Sequence, residues 1–239
     1  MIAALGFFAA TLSIAVIWPQ VWRSCRHGRT RGLSPTSAWL GVALNLCWLT
    51  FGVLIGEPAQ IVTHAVVGAG NTAVLAALLN ARPHLRSRRM LLRTAAGAVG
   101  LGASAAGSAL AVVVLGADPA AVAIMLGAVS SIVGAVAALP QPVSLLRDRS
   151  QDMSGLSPAR WRLGAGSCAS WTSYGWLIDQ PAVWGSAGFG LGCALVMCAL
   201  LRTRRTAQPA ATRAPARPAV AAVPGCRIPV TARAALAAA

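Results

Sequence analysis

The stretch Trp18–Pro35 reads WPQVWRSCRHGRTRGLSP, and Leu139–Pro158 reads LPQPVSLLRDRSQDMSGLSP. Each opens with Pro-Gln at the end of an apolar run, passes through an arginine-bearing loop and closes on Gly-Leu-Ser-Pro. Two copies of one helix-end, loop and helix-start device, half a chain apart, imply an internal duplication. The first question is what surrounds them.

The surroundings are apolar. Of 239 residues, 56% are hydrophobic and 10% charged, where a soluble domain of this size carries about a quarter charged residues. The composition is that of a membrane protein. The net charge of +15 comes from 20 basic residues, all of them arginine. They sit between apolar runs and in the tail, so they form no solvated basic face of the kind that binds nucleic acid. The six cysteines (Cys25, Cys47, Cys168, Cys193, Cys198 and Cys226) form no CxxC pair, and several lie inside apolar runs. They read as small buried hydrophobes, and neither a metal site nor a disulfide framework is expected. The opening MIAALGFFAATLSIAVIW lacks a basic leader and a good cleavage site, which favours a first spanning helix over a removable signal.

A bilayer core takes about 20 apolar residues per helix. Runs near residues 2–21, 37–56, 59–80, 94–116, 119–144, 161–178 and 182–201 meet or approach that length, predicting an all-α membrane protein with seven transmembrane helices. Arginines follow the first, third, fifth and seventh runs, whereas the other connections are short and hold Glu57, Asp118 and Asp179. Seven spans place every arginine on one side. The positive-inside rule makes that side cytoplasmic, with the N-terminus outside and the C-terminus inside. Residues 203–239, rich in Ala, Pro and Arg, read as a disordered cytoplasmic tail.

Displaced by 123 positions, the chain matches itself. Gly32-Leu33-Ser34-Pro35 falls on Gly155-Leu156-Ser157-Pro158, Trp48 on Trp171, Phe51 on Tyr174, Gly52 on Gly175 and Pro58 on Pro181. The Pro-Gln pairs are displaced by 121, so the second loop is two residues longer. Residues 1–81 then form a first three-helix repeat and residues 119–202 a second. The basic loop and linker helix of residues 82–118 restore sidedness, making the repeats parallel.

PQ ending a first helix, GLSP after it, then CWLTFG or SWTSYG, resembles the PQ-loop/MtN3 superfamily over residues 2–201. The 3+1+3 arrangement is similar to the SWEET sugar transporters. The resemblance implies two three-helix bundles joined by an inversion helix and enclosing a central pathway with alternating access. It also implies that the Pro-Gln pairs act as gating hinges and that a Trp on the second helix of each repeat contacts substrate.

The residues support a reading of each motif. Pro19 and Pro140 remove a backbone donor and free the helix to bend, while Gln20 and Gln141 bring an amide for the loosened carbonyls or a neighbouring helix. The alternative is that Pro-Gln merely ends a helix. Ser34-Pro35 and Ser157-Pro158 read as N-cap and first helical residue. Trp22, Trp39, Trp161 and Trp184 fit an interfacial belt, but Trp48 and Trp171 lie deep in their spans and are expected to line the pathway, with Tyr174 nearby. The family's sugar site also has an Asn on the third helix of each repeat. Here Thr63 or His64 stands in the first copy and Ser186 or Ala187 in the second, which leaves Asn71, two turns deeper, as a substitute candidate. His64 is the one titratable group expected near the pathway, as a spacer or as a handler of solute or protons.

The expectation is a facilitative transporter of a small neutral solute, sugar-like or another small metabolite, its partners being that solute and the bilayer. A non-transport membrane receptor or sorting protein on the same scaffold is the alternative. No nucleophile, base and orienter are spaced for catalysis, so no enzyme and no cofactor is expected. The arginine-only, alanine-rich composition points to a bacterial plasma membrane.

Overall fold

The computed structural model describes residues 1–30, 33–148 and 158–207, with side chains to Thr203. Residues 208–239 of the expected tail, Gly32 and the second cap Gly155–Ser157 lie outside the described residues, whereas residues 203–207, expected to open the disordered tail, continue the last helix. Among the described residues eight α-helices follow in order: α1 Ile2–Val21, α2 Pro35–Leu54, α3 Pro58–Ala81, α4 Arg88–Val113, α5 Pro119–Ala138, α6 Pro140–Arg147, α7 Pro158–Leu177 and α8 Pro181–Ala207. Six of the seven expected runs, with α5 and α6 counted together, are long and apolar enough to cross a membrane. The chain is a multi-pass membrane protein. The seventh, α7, has the length but carries Arg160 and Arg162 and a run of hydroxyls. Those hydroxyls donate back to the helix's own carbonyls, Ser170 to Gly166 at 2.9 Å and Thr172 to Cys168 at 2.7 Å.

Proline starts α2, α3, α5, α7 and α8, where its missing N–H is no loss. Ser34 caps α2 as expected, its Oγ accepting from Ser37 N at 3.3 Å. Asp118 caps α5 through Ala120 N and Ala121 N at 3.3 and 3.0 Å.

The ends of α2 and α7 repeat bond for bond. Glu57 N donates to Gly52 O at 2.9 Å and Gln180 N to Gly175 O at 2.8 Å. Ile55 N donates to Phe51 O, and Ile178 N to Tyr174 O, both at 3.0 Å. The left-handed residue these caps require is Gly56 (φ 69°) in one copy and Asp179 (φ 50°) in the other. Aspartate is among the few side chains that tolerate that region.

Packing repeats as well. A Cβ on Gly52 would lie 2.8 Å from Gln60 Cβ, and one on Gly175 would lie 2.9 Å from Val183 Cβ. Gly6 of α1 abuts the Tyr174 ring and Ala59, and Gly127 of α5 abuts the Phe51 ring and Ala182. Each of these first helices therefore touches the aromatic residue of the other copy and the third helix of its own. α1 packs on α3 and α7, and α2 packs on α3, α4 and α5. Small residues (Ala9, Ala10, Ala43, Ala59, Ala98, Ala105 and Ala123) fill the buried faces. Helices in lipid gain little from hydrophobic association and gain instead from this close approach. Val99, Leu110, Ile124, Met125 and Ile132 point outward.

The Pro-Gln positions differ between copies. Pro19 lies inside a continuous α1, followed by a π-helical turn at Trp22–Arg26. At the second copy the helix is interrupted at Leu139, because Pro140 and Pro142 together leave the carbonyls of Val136 and Ala138 without donors. The expected span 119–144 is thus two helices. Gln20 does not reach a loosened carbonyl: its Nε2 donates to Ser24 Oγ at 2.8 Å, and Gln141 is exposed. Arg82 has a structural use, donating to Thr30 O at 2.7 Å and Leu33 O at 3.3 Å, which ties the first loop to the end of α3.

Candidate functional site

Helices α1, α2, α3, α5, α7 and α8 surround a cavity of about 390 Å³, within the usual size range of small-molecule sites. α2 contributes Asn45 and Trp48, and α7 contributes Ser167, Cys168 and Trp171. α3 contributes Gln60, Thr63, His64 and Val67, and α8 contributes Val183, Ser186, Ala187, Phe189 and Gly190. Ser13 comes from α1, and Ser130, Ser131, Gly134, Ala135 and Ala138 from α5. The lining is pairwise: 45 with 168, 48 with 171, 60 with 183, 63 with 186, 64 with 187 and 67 with 190 are all related by the displacement of 123.

Four sequence candidates therefore meet at the cavity: Trp48, Trp171, His64 and Ser186. Both tryptophans contact an aromatic residue three positions on, edge to face. Trp48 and Phe51 have ring centroids 5.3 Å apart at 79°, and Trp171 and Tyr174 5.6 Å apart at 80°. Each indole is then held differently. Trp171 Nε1 donates to Ser13 Oγ at 2.9 Å, which in turn lies 2.9 Å from Ser167 Oγ. The position of α5 matching Ser13 is Gly134, which offers no hydroxyl. Trp48 instead stacks on His64, centroids 6.0 Å apart at 20°.

Two candidates are not in the cavity wall. Tyr174 is buried between Gly6 and Trp171, and its hydroxyl donates to the Glu57 carboxyl at the start of α3. Residues 171 and 174 lie on adjoining strips of α7, and the glycine at position 6 draws the phenol ring away from the cavity. Asn71 is too deep along α3 and packs across Gly41 of α2 instead. Trp39, expected in the belt, is packed against the core with its Nε1 buried and unpartnered. The hinge residues Pro19, Gln20, Pro140 and Gln141 lie beyond the cavity, although Ala138, two residues before Pro140, lines it.

Asn45 was not singled out in the sequence. Its Nδ2 donates to Gly41 O at 2.8 Å, and its Oδ1 lies 3.0 Å from His64 Nδ1. Its place three residues before Trp48, on the same helical face, is the signal that marks it. Gln60, two residues after the Pro58 start of α3, is 2% exposed and its Oε1 has no hydrogen-bond partner. Among the described residues no Asp, Glu, Lys or Arg lines the cavity, and no group of His, Cys, Asp and Glu could hold a metal ion.

Residues 1–61 match the family model described as PQ loop repeat. No curated protein matches the chain significantly. Among solved structures, a eukaryotic SWEET transporter superposes with a TM-score of 0.66 at 16% identity, covering 86% of this chain and 99% of that one. The two findings support the PQ-loop/MtN3, SWEET-like resemblance read from the motifs, and the second shows the shared fold.

Proposed function

We propose that this protein moves a small uncharged solute across a membrane by alternating access, through the cavity between two parallel three-helix repeats joined by α4. The repeats are residues 1–81 and 119–202. The observation that carries the reading is the pairwise lining: both copies present equivalent positions to one cavity, and each first helix packs on the opposite copy. A cavity on a pseudo-two-fold axis can open to either side by rocking one bundle against the other. The bond from Tyr174 to Glu57 joins the copies at the end bearing the short acidic connections, and we read it as holding that end closed. The alternative, a receptor or sorting protein, is disfavoured by the uncharged lining, since a ligand-retaining site needs stronger anchors. The test is uptake of labelled sugars and amino acids into proteoliposomes against empty liposomes. Binding without uptake for every solute would favour the receptor.

The arginine distribution supports a plasma-membrane orientation with the N-terminus outside. A single cysteine placed at Asp118, on a cysteine-free background, should be labelled only from outside; labelling only from the cytoplasm would overturn that orientation. The π-helical turn after Pro19 and the interruption before Pro140 support a hinge role. Pro19→Ala and Pro140→Ala restore a backbone donor and should slow uptake several-fold with near-native folding. Native rates in both variants would leave the prolines as helix ends only.

A further inference from the structure

The cavity is paired in position but not in chemistry. On the first copy it presents Asn45, Gln60, Thr63 and His64; the equivalent positions of the second copy are Cys168, Val183, Ser186 and Ala187. Three of the four polar side chains have lost their polarity in the second copy.

Hydrogen-bond accounting shows what the polar wall offers. Thr63 Oγ1 donates to Ala59 O at 2.6 Å, so its hydrogen is committed and its oxygen remains an acceptor. Asn45 Nδ2 is committed to Gly41 O, which makes Oδ1 the acceptor towards His64 and places the hydrogen on Nδ1. In the neutral ring Nε2 is then an acceptor. Gln60 Oε1 is an acceptor with no partner, on a side chain 98% buried. The acceptors Thr63 Oγ1, His64 Nε2 and Gln60 Oε1 call for a solute bearing O–H or N–H donors, and the Gln60 amide N–H groups can donate to an oxygen of the same hydroxyls. A carboxylate or phosphate would find no cation in the lining to offset its desolvation. The second copy also lines the cavity with Ser130 and Ser131 on α5, Ser167 on α7 and Ser186 on α8, each already bonded to Leu126 O, Gly127 O and Ala182 O, Ser13 Oγ, and Val183 O respectively. Apart from the Ser186 oxygen, α8 presents Val183, Ala187, Phe189 and Gly190, which give a hydroxyl no partner, and a buried donor left unpaired costs more than it returns.

We infer that the solute is amphipathic and bound in one orientation: an uncharged ring-sized molecule with hydroxyl donors along the edge facing α3 and hydrocarbon on the edge facing α8. This rests on the transport reading above and narrows its substrate class. A deoxy sugar has that form, whereas a fully hydroxylated hexose does not.

Three pyranoses of like size test the inference: D-glucose, 6-deoxy-D-glucose and D-glucuronate, each radiolabelled and offered to proteoliposomes of the full chain. Uptake efficiency for 6-deoxyglucose should exceed that for glucose by about tenfold, within the roughly hundredfold limit on rejecting an added hydroxyl by an apolar wall. Glucuronate should remain at the empty-liposome background. Gln60→Leu should lower 6-deoxyglucose uptake about tenfold, and Val183→Gln, which puts the amide on the opposite wall, should bring the two neutral sugars to near-equal uptake. Monodisperse elution and an unchanged unfolding midpoint identify the variants that fold. Should Gln60→Leu not fold, Val183→Gln carries the test alone. Equal uptake of glucose and 6-deoxyglucose by the native protein, or uptake of glucuronate, would overturn the one-sided inference and leave transport standing. Uptake of none of the three would overturn the one-sided inference, and the transport reading then stands or falls on the wider set of sugars and amino acids.

Discussion

Truncating Trp171 to alanine lowers solute uptake by at least tenfold at matched membrane expression, and truncating Trp48 does the same. Each ring is a wall of the cavity, and an aromatic contact is worth about 1 kcal/mol beyond the area it buries, a several-fold effect on binding alone. Trp171→Ala also removes the bond to Ser13 and leaves Ser13 and Ser167 without the indole that orders them. Burying less ring destabilises the fold too, typically by about 3–5 kcal/mol for a core Trp, so the loss needs a control that separates packing from recognition. Trp171→Phe supplies it, keeping a ring against Tyr174 while deleting the N–H. Uptake should fall less than for alanine and the unfolding midpoint should move little. Trp184 is the comparison of like residue type: it packs edge-on against Trp176 at 5.5 Å and does not line the cavity, so Trp184→Phe should stay within about twofold of native. Equal losses at all three positions, or a loss confined to Trp184, would remove the inner pair from the pathway.

Gly175→Ala should lower the thermal unfolding midpoint in detergent by about 4–8 °C, on a cost of about 2 kcal/mol. The added carbon would lie 2.7 Å from the backbone nitrogen of Trp184 and 2.9 Å from Val183 Cβ. Backbone cannot step aside as the end of a flexible side chain can, so α7 and α8 must separate. Gly52→Ala meets the equivalent obstruction at Gln60 Cβ and Ile61 N, 2.8 and 3.1 Å away, and should behave alike. Gly185→Ala is the opposite case. Nothing lies within 4 Å of its Cβ, and alanine restrains the unfolded chain and favours helix, so a gain of about 0.5–1 kcal/mol is expected. A neutral Gly175→Ala, or a loss at all three sites, would contradict the close helix approach.

Much of this architecture can be read from local chemistry. Proline at the start of α2, α3, α5, α7 and α8, Ser34 before Pro35 and the matching Gly56 and Asp179 positions put the helix starts and turns within a few residues of where they lie. Trp48, Trp171, His64 and Ser186 could be located because the repeat fixes their depth and face together. Asn45 could not be found by repeat matching, since its equivalent is Cys168, and only its helical register with Trp48 reveals it. Tyr174 misleads for the reverse reason. It matches Phe51 well, but whether a residue three positions from a cavity-lining Trp joins the wall depends on what the neighbouring helix presents, and that is Gly6 of a helix far away in sequence. The interruption at Leu139 needed Pro142 to be weighed along with Pro140.

The unlike walls have an evolutionary consequence. In an assembly of two identical single-repeat chains, every substitution appears twice, once on each side of the axis, so a site can only change symmetrically. Here Gln60 and Val183, or His64 and Ala187, are separate letters of one chain and drift independently. A single mutation alters half the site and leaves the other half selected as before. Fusion of the copies thus turns one binding surface into two separately tunable ones, and new solute preferences become reachable in single steps.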